Sequence, residues 1–453
     1  MNKATLPLLF ALVLLGNGLR SVISSTVFVS EGTFASFLKI SISQTSAIIE
    51  LLLGAVLLSL LVSPWMISRF SIRSITTSMC LIASGASFGL AAMFWIAPPV
   101  ATREALVVVL FPLIGFSLAS MAPVAQILTG WGGDKHSKLL TGVWAVAMPA
   151  AFLVTPQLVR VIAPRYGLEL FFAGFAVLPV VLIAAIWAVR EPMTPPQKNG
   201  VAPSLAALMP AILTLAIFEI MTLLVTISGI SSIMTQAMAV LFVIVLGYLF
   251  YSQRHQANKG RADSAMLNIF VFLFFVNIAT TGFYDTAFLV LHMCSNTLIA
   301  DRATIGALAQ VCAAMAATAL LARFQLQRVI MVLGAVIVTI GLGSYMLYFT
   351  LLIFEAAIVS KAITGFGMGL LTTAAIFTVS NAGAKTANLS LFIAFVVIIG
   401  TEVGLELFEI FVQVADLVQI ASDTTYMTIF ITQIVFVIMA IPFLFLRPRA
   451  MKV

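Results

Sequence analysis

A chain of 453 residues that is 62% hydrophobic and 9% charged, with a mean hydropathy of +1.16, is not a soluble protein. Charged residues are too few to clothe soluble domains, so the protein must act within or across a bilayer, and its formal charge of +7 reflects topology rather than nucleic acid. Three cysteines (Cys80, Cys294, Cys312) without metal or disulfide spacing, and three histidines (His136, His255, His292) far apart in sequence, signal no metal site.

A helix needs ~20 apolar residues to cross ~30 Å of hydrocarbon. Such stretches are predicted near 6–29, 45–67, 75–96, 105–129, 140–163 and 169–190. The first follows Lys3 and lacks a clear small-residue cleavage site, so it is expected to remain as a span. Glu191 to Pro203, the chain's Pro-rich stretch, reads as an irregular cytoplasmic connection. Two more spans, Leu205–Ser228 and Ser232–Tyr251, form a hairpin through Gly229, Ile230 and Ser231 and carry one charge, Glu219. A second block follows near 266–291, 303–321, 329–350, 354–380, 388–412 and 425–446. The expected fold is an all-α polytopic membrane protein of 14 spans: a six-helix bundle over 1–190, a linker and two-helix insert over 191–264, and a six-helix bundle over 265–453.

With both termini inside, the cytoplasmic segments collect sixteen of the 23 basic residues, among them Arg69, Arg73, Arg323 and Arg328, beside only Asp134, Glu191 and Asp263. This is the positive-inside pattern, and it places the excess charge against anionic lipid. An internal repeat supports the two blocks. Ser68-Arg-Phe-Ser-Ile-Arg-Ser-Ile75 matches Ala322-Arg-Phe-Gln-Leu-Gln-Arg-Val329, and Gly115-Phe-Ser-Leu-Ala119 parallels Gly365-Phe-Gly-Met-Gly369, both shifted by about 250 residues. Repeated bundles with a site at their interface are a common transporter design.

With this layout the chain resembles the major facilitator superfamily, and the six-two-six order resembles its fourteen-span drug:proton antiporter branch. The family's loop between spans two and three reads G-x-x-x-D-[RK]-x-G-[RK]-[RK]. Here it is Pro64-Trp-Met-Ile-Ser68-Arg69-Phe-Ser71-Ile-Arg73, with two basic positions kept and the acidic residue and both glycines lost. The resemblance implies a conformational loop at Arg69 and Arg73, mirrored by Arg323 and Arg328, that braces the halves. The plain alternative is positive-inside arginines on a tight turn. In span five, Gly142-Val-Trp-Ala and Thr155-Pro156-Gln-Leu-Val159-Arg160 stand in place of the antiporter signature G-P-x-x-G-G, and only Pro156 matches. Pro149 and Pro156 are expected to kink this span.

Charges in hydrocarbon usually face a cavity or a partner. Arg20 lies past the middle of span one in Gly16-Asn-Gly-Leu-Arg20, where the resemblance places an acidic residue, so the charge is reversed. Lys361 precedes Gly365 with the R-x-x-x-G spacing of the family's span-four cation, while the first half has Phe111 before Gly115. The alternative for Lys361 is snorkelling to the outer surface beside Glu355. Glu402, Glu406 and Glu409 in span eleven recur at i, i+4 and i+7 on one helical face. Three like charges cannot all ionise cheaply there, which suits a proton carrier. The alternative is that Glu409 reaches the interface and Glu402 pairs with Arg20 or Lys361. Glu50 and Asp285 are lesser candidates in the outer halves of spans two and seven, and Glu219 has no assigned role.

These residues predict a proton-coupled secondary transporter of alternating access that exports an amphipathic small molecule, on which Arg20 and Lys361 could bind an anionic group. Arg20, Lys361, Glu50 and Asp285 would bind solute, and Glu402, Glu406 and Glu409 would couple protons. Proton symport of an organic anion or siderophore-like solute is the alternative. The energy source is the proton gradient, with no cofactor, since the chain has no phosphate-binding loop. The expected partners are solute and lipid, for a monomer in a bacterial cytoplasmic membrane with room for an accessory periplasmic protein. A membrane-embedded enzyme is disfavoured for want of a metal or nucleophile constellation, and a channel for want of a selectivity-filter pattern.

Overall fold

The computed structural model describes residues 5–40, 42–189, 205–228, 261–280, 291–381 and 418–445, with short pieces at 244, 288–289, 400 and within 403–415. Every regular element among them is helical. In hydrocarbon each backbone N–H and C=O must be satisfied within its own segment, and a continuous helix does this. Nine helices among the described residues are long and apolar enough to cross a membrane. One of them, His136–Ala188, is 53 residues long and holds both spans predicted over 140–163 and 169–190. The predicted span over 232–251 and most of the one over 388–412 lie outside the described residues, so the count of fourteen remains a sequence-based expectation.

The chain divides into two compact units, residues 1–253 and 254–453. The first contains α1 (Thr5–Val29), α2 (Glu31–Leu38), α3 (Ile42–Arg69), α4 (Ile72–Ile96), α5 (Val100–Ala119), α6 (Met121–Trp131), α7 (Gly133–Ala188) and α8 (Leu205–Ser228). Helix α1 packs along α6 and α7, α3 along α5, and α4 between α5 and α7. Local chemistry sets the joints. The Ser71 hydroxyl accepts from the Ser74 N–H at 3.1 Å and caps α4. Span four runs from α5 into α6 through Ser120, which keeps helical dihedrals (φ -60, ψ -22) and whose hydroxyl lies 2.7 Å from that of Ser59 on α3, both buried.

Pro149 and Pro156, expected to kink span five, lie inside α7, and the break in its helical dihedrals falls between the predicted spans 140–163 and 169–190. The backbone of α7 leaves helical dihedrals at Gly167 (φ 78, ψ 166) and not at Pro149, Pro156 or Pro164. Glycine alone adopts this φ without strain, and a Cβ there would also collide with the Glu169 carboxylate. Prolines inside membrane helices are tolerated because neighbouring groups satisfy the freed carbonyls.

The second unit contains α9 (Arg261–Ala279), α10 (Asn296–Arg323), α11 (Gln327–Thr350), α12 (Ala357–Asn381) and α13 (Ser422–Ala440). Helix α12 packs on both α10 and α11, and α13 packs on α9 and α11. The sequence repeat has a structural counterpart here. A Cβ on Gly115 would collide with the backbone carbonyl of Leu52, and one on Gly365 with that of Gly306. Each glycine therefore lets the fourth helix of its block approach the second at backbone distance. Gly400 does the same for span eleven, since its Cβ would sit 2.9 Å from the Phe274 carbonyl oxygen on α9.

Aromatic clusters close one end of each unit, the end that the charge pattern places outside. In the first, Phe34 meets Phe94, Phe111 and Phe172 edge-on. Arg103 ties this end together by donating to the carbonyls of Phe37 (2.6 Å), Pro98 and Ala97 (3.2 Å) while lying over the Phe37 ring. In the second, Phe288 stacks on Phe349 at 4.6 Å and touches Tyr426 and Phe430.

Candidate functional site

The site begins with small residues on α1. A Cβ on Gly16 would lie 3.0 Å from the Ala125 Cβ and 3.5 Å from the Met121 carbonyl of α6, and one on Gly18 would lie 3.4 Å from the Ala147 carbonyl of α7. Helix α1 thus sits close to both neighbours, and polar side chains hold the three together. Asn17 Nδ2 donates to the Trp144 carbonyl at 2.7 Å, and Trp144 Nε1 donates to the Ala122 carbonyl at 2.9 Å. One turn beyond Gly16, Arg20 is 6% exposed. Its Nη2 lies 3.3 Å from Met148 Sδ, a weak acceptor, and its Nη1 has no hydrogen-bond partner among the described residues.

No carboxylate offsets this charge among the described residues. A cation at the centre of a membrane helix costs ~2.5–3.5 kcal/mol on insertion scales, and each buried polar atom left without a hydrogen bond costs about 1–3 kcal/mol. Such an arginine costs its own unit stability unless an anion meets it, and this makes Arg20 the candidate around which a site can be built. Sequence reasoning found Arg20 but missed Gln126 on α6. Gln126 is 8% exposed, and both polar atoms of its side-chain amide lack partners among the described residues. The available signal was an amide in an otherwise apolar run, Met121 to Leu128.

The other predicted residues are spread over the molecule. Lys361 is half-buried on α12, and its Cγ would lie 2.7 Å from a Cβ on Gly306 of α10, so its stem crosses α10 at a glycine. Arg69, Arg323 and Arg328 are exposed at helix ends. Arg73 is engaged inside the first unit, where Nη2 donates to the Val189 carbonyl at 2.6 Å and the guanidinium lies 5.3 Å from the Trp187 ring centre. It thereby binds the carboxyl end of α7. Glu50 is on α3 with its side chain outside the described residues, as are Asp285, Glu402, Glu406 and Glu409 altogether. Glu219, left without a role by the sequence, is half-buried on α8, and its carboxyl occupies the space beside Gly54 of α3.

A cavity of about 460 Å3 in the second unit is lined by His292, Cys294, Ser295, Asp301, Phe354 and Glu355 among others. His292 Nε2 lies 3.4 Å from Asp423 Oδ1 at the start of α13. Desolvation and the Glu355 carboxylate push the Cys294 thiol above its ordinary pKa. Among the described residues no group of three or more His, Cys, Asp and Glu side chains is arranged to hold a metal ion.

No protein-family model matches the chain, and no curated protein matches it in sequence. Solved structures match over almost its full length. The major facilitator proton:xylose symporter XylE, bound to 6-bromo-6-deoxy-D-glucose, is 13% identical with a TM-score of 0.68, over 98% of this chain and 97% of that one. A bacterial homologue of the iron transporter ferroportin, in an outward-facing state, is 12% identical with a TM-score of 0.66, over 96% and 98%. A POT family transporter in complex with 5-aminolevulinic acid is 11% identical with a TM-score of 0.65, over 96% and 94%. At such identities the likeness is one of fold, and with nine apolar membrane-length helices among the described residues it makes this chain an integral membrane protein with the major facilitator fold.

Proposed function

We propose that the chain is a proton-coupled secondary transporter of the fourteen-span kind, working by alternating access in a bacterial cytoplasmic membrane and exporting a small amphipathic anion. The observation that carries this reading is the buried Arg20, with no carboxylate partner among the described residues and with Nη1 unfilled. A guanidinium in that state favours a carboxylate or another oxyanion, which it can meet with charge-assisted hydrogen bonds. The solute would be released as the helices around Arg20 open to the other side.

Proton coupling falls to Glu402, Glu406 and Glu409. In sequence register these positions stand about half a helical turn from Gly400, Phe408 and Phe411. Gly400 approaches α9, and Phe408 and Phe411 pack with Ile278 of α9 and Ile429 of α13. In that register the stripe falls opposite the packed face, where three carboxylates are too costly for lipid and call for a cavity, the aqueous interface or a basic partner. This register supports a polar path on that side of span eleven.

The test is reconstitution of the full chain into liposomes with an imposed pH gradient and a panel of anionic and cationic solutes. Accumulation of anions driven by the gradient is expected, and its sign separates export from uptake. Solute movement indifferent to the gradient across the panel would defeat the proton-coupled reading.

A further inference from the structure

We infer that Gln126 and Arg20 form a two-point site for a solute that carries an anionic group and, a short distance away, a neutral group able both to donate and to accept a hydrogen bond, such as a hydroxyl or a carboxamide. The inference rests on the anionic-solute reading above and adds what else that solute must carry. Gln126 is more than nine-tenths buried, in a run of buried apolar residues that includes Ala122, Val124, Ala125 and Leu128. Its backbone carbonyl accepts from Thr129 Oγ1 at 2.7 Å, while side-chain Oε1 and Nε2 both lack partners among the described residues. Folded proteins pair almost all such atoms. A leucine or methionine would fill the same volume without that penalty, so an amide here signals a group that comes and goes.

The chemistry of that group follows from the two empty ends. Oε1 needs a donor and Nε2 needs an acceptor. A carboxylate offers only acceptors and would leave Oε1 empty, whereas a hydroxyl or carboxamide serves both. The nearby polar groups do not serve them. Asn17 Nδ2 is committed to the Trp144 carbonyl and Trp144 Nε1 to that of Ala122.

Placement joins the two residues in one site. Helices α1 and α6 touch where Gly16 meets Ala125 and Met121. Arg20 stands one turn past that contact on α1, and Gln126 adjoins Ala125 on α6. Spans one and four run in opposite senses by alternation, and long helical side chains lean toward the amino end of their own helix. By that tendency Arg20 and Gln126 incline toward the Gly16–Ala125 contact from its two sides, with Arg20 Nη2 also reaching Met148 on α7. No hydrogen bond joins them, since Arg20 Nη1 and both Gln126 atoms are unfilled. A solute of a few carbons spans such a gap, with its anion on the guanidinium and its hydroxyl or amide on Gln126.

The experiment uses the full chain in nanodiscs and titrates matched probes by calorimetry: butanoate against 4-hydroxybutanoate and succinamate, and hexanoate against 6-hydroxyhexanoate. Wild-type protein is expected to bind at least one polar member about tenfold more tightly than its plain carboxylate, the effect of one well-made hydrogen-bonded pair. Gln126→Leu and the closer mimic Gln126→Met should abolish that preference, read as the ratio of the two affinities within each variant, while Arg20→Gln weakens every probe. A preference retained in both folded Gln126 variants, or absent from wild type for every pair, would overturn the inference and leave the anionic reading standing. Undiminished carboxylate binding by folded Arg20→Gln would instead overturn the anionic reading itself.

Discussion

The carboxyl of Glu219 lies where a side chain on Gly54 would have to go, so Gly54 is the seat on which α8 meets α3. A charged or even neutral carboxyl is expensive against lipid, and a glycine on the facing helix gives it a recess in protein. Gly54→Ala should turn the Glu219 carboxyl, the far end of a flexible side chain, out of that recess, at a cost below the ~1–3 kcal/mol of overpacking against backbone. Thermal unfolding of the purified variant, with Gly54→Ala/Glu219→Ala as the rescue, checks this. A loss as large as that of Gly365→Ala would show the carboxyl to be fixed in place.

The paired glycines of the repeat make a sharper case, because what lies opposite them is backbone. At Gly365 an added methyl meets the Gly306 carbonyl and Cα, which cannot swing aside, whereas at Gly343 it meets nothing within 4 Å. Gly365→Ala should therefore cost about 1–3 kcal/mol, and Gly343→Ala should be neutral or stabilising by a few tenths to about 1 kcal/mol through helix propensity. If the two variants unfolded together, the close approach of α12 to α10 would be in doubt.

These glycines also show how far the sequence could be read. Apolar run lengths and arginine placement located the helices, and the Gly115 and Gly365 matches marked equivalent crossings, because both signals are local and periodic. The break at Gly167 falls in the gap left between the predicted spans 140–163 and 169–190, but run lengths alone could not say which residue there leaves helical dihedrals. Arg20 stood out as a charge in an apolar span. Gln126 did not, because an amide among apolar residues is common and only its unfilled atoms, a tertiary property, set it apart. Arg73 was legible as part of the loop between spans two and three, but its contacts with Val189 and Trp187, far away in sequence, are a tertiary property that no local pattern carries.

Cys294 offers a native probe of both topology and electrostatics. Its thiol is raised first by desolvation and then by Glu355, so less of it is thiolate at neutral pH and alkylation is slowed. Glu355→Gln removes the second cause, lowers the pKa, and should speed labelling at pH 7 and move the rate profile to lower pH. An impermeant maleimide added to intact cells should reach Cys294, since the 293–302 loop is predicted to lie outside. Labelling only after the membrane is opened would reverse the topology.

The last expectation separates proton coupling from solute binding. A glutamate that carries the coupled proton must gain and lose it in each cycle, and glutamine has nearly the same shape but cannot. Glu402→Gln and Glu406→Gln should therefore keep exchange of labelled for unlabelled solute, in which no net proton need move, and lose accumulation driven by a pH gradient. Arg20→Ala should lose both, because its role is to hold the anion. The two readouts distinguish the cases: a structural pair broken by Glu402→Gln would lower exchange and accumulation together, along with thermal stability. If both glutamine variants, shown to be folded, still accumulated solute against its gradient at wild-type rates, then neither Glu402 nor Glu406 would be required as the proton carrier. The coupling would then belong to Glu409 or to a carboxylate outside span eleven, and the same pair of assays on Glu409→Gln would decide between them.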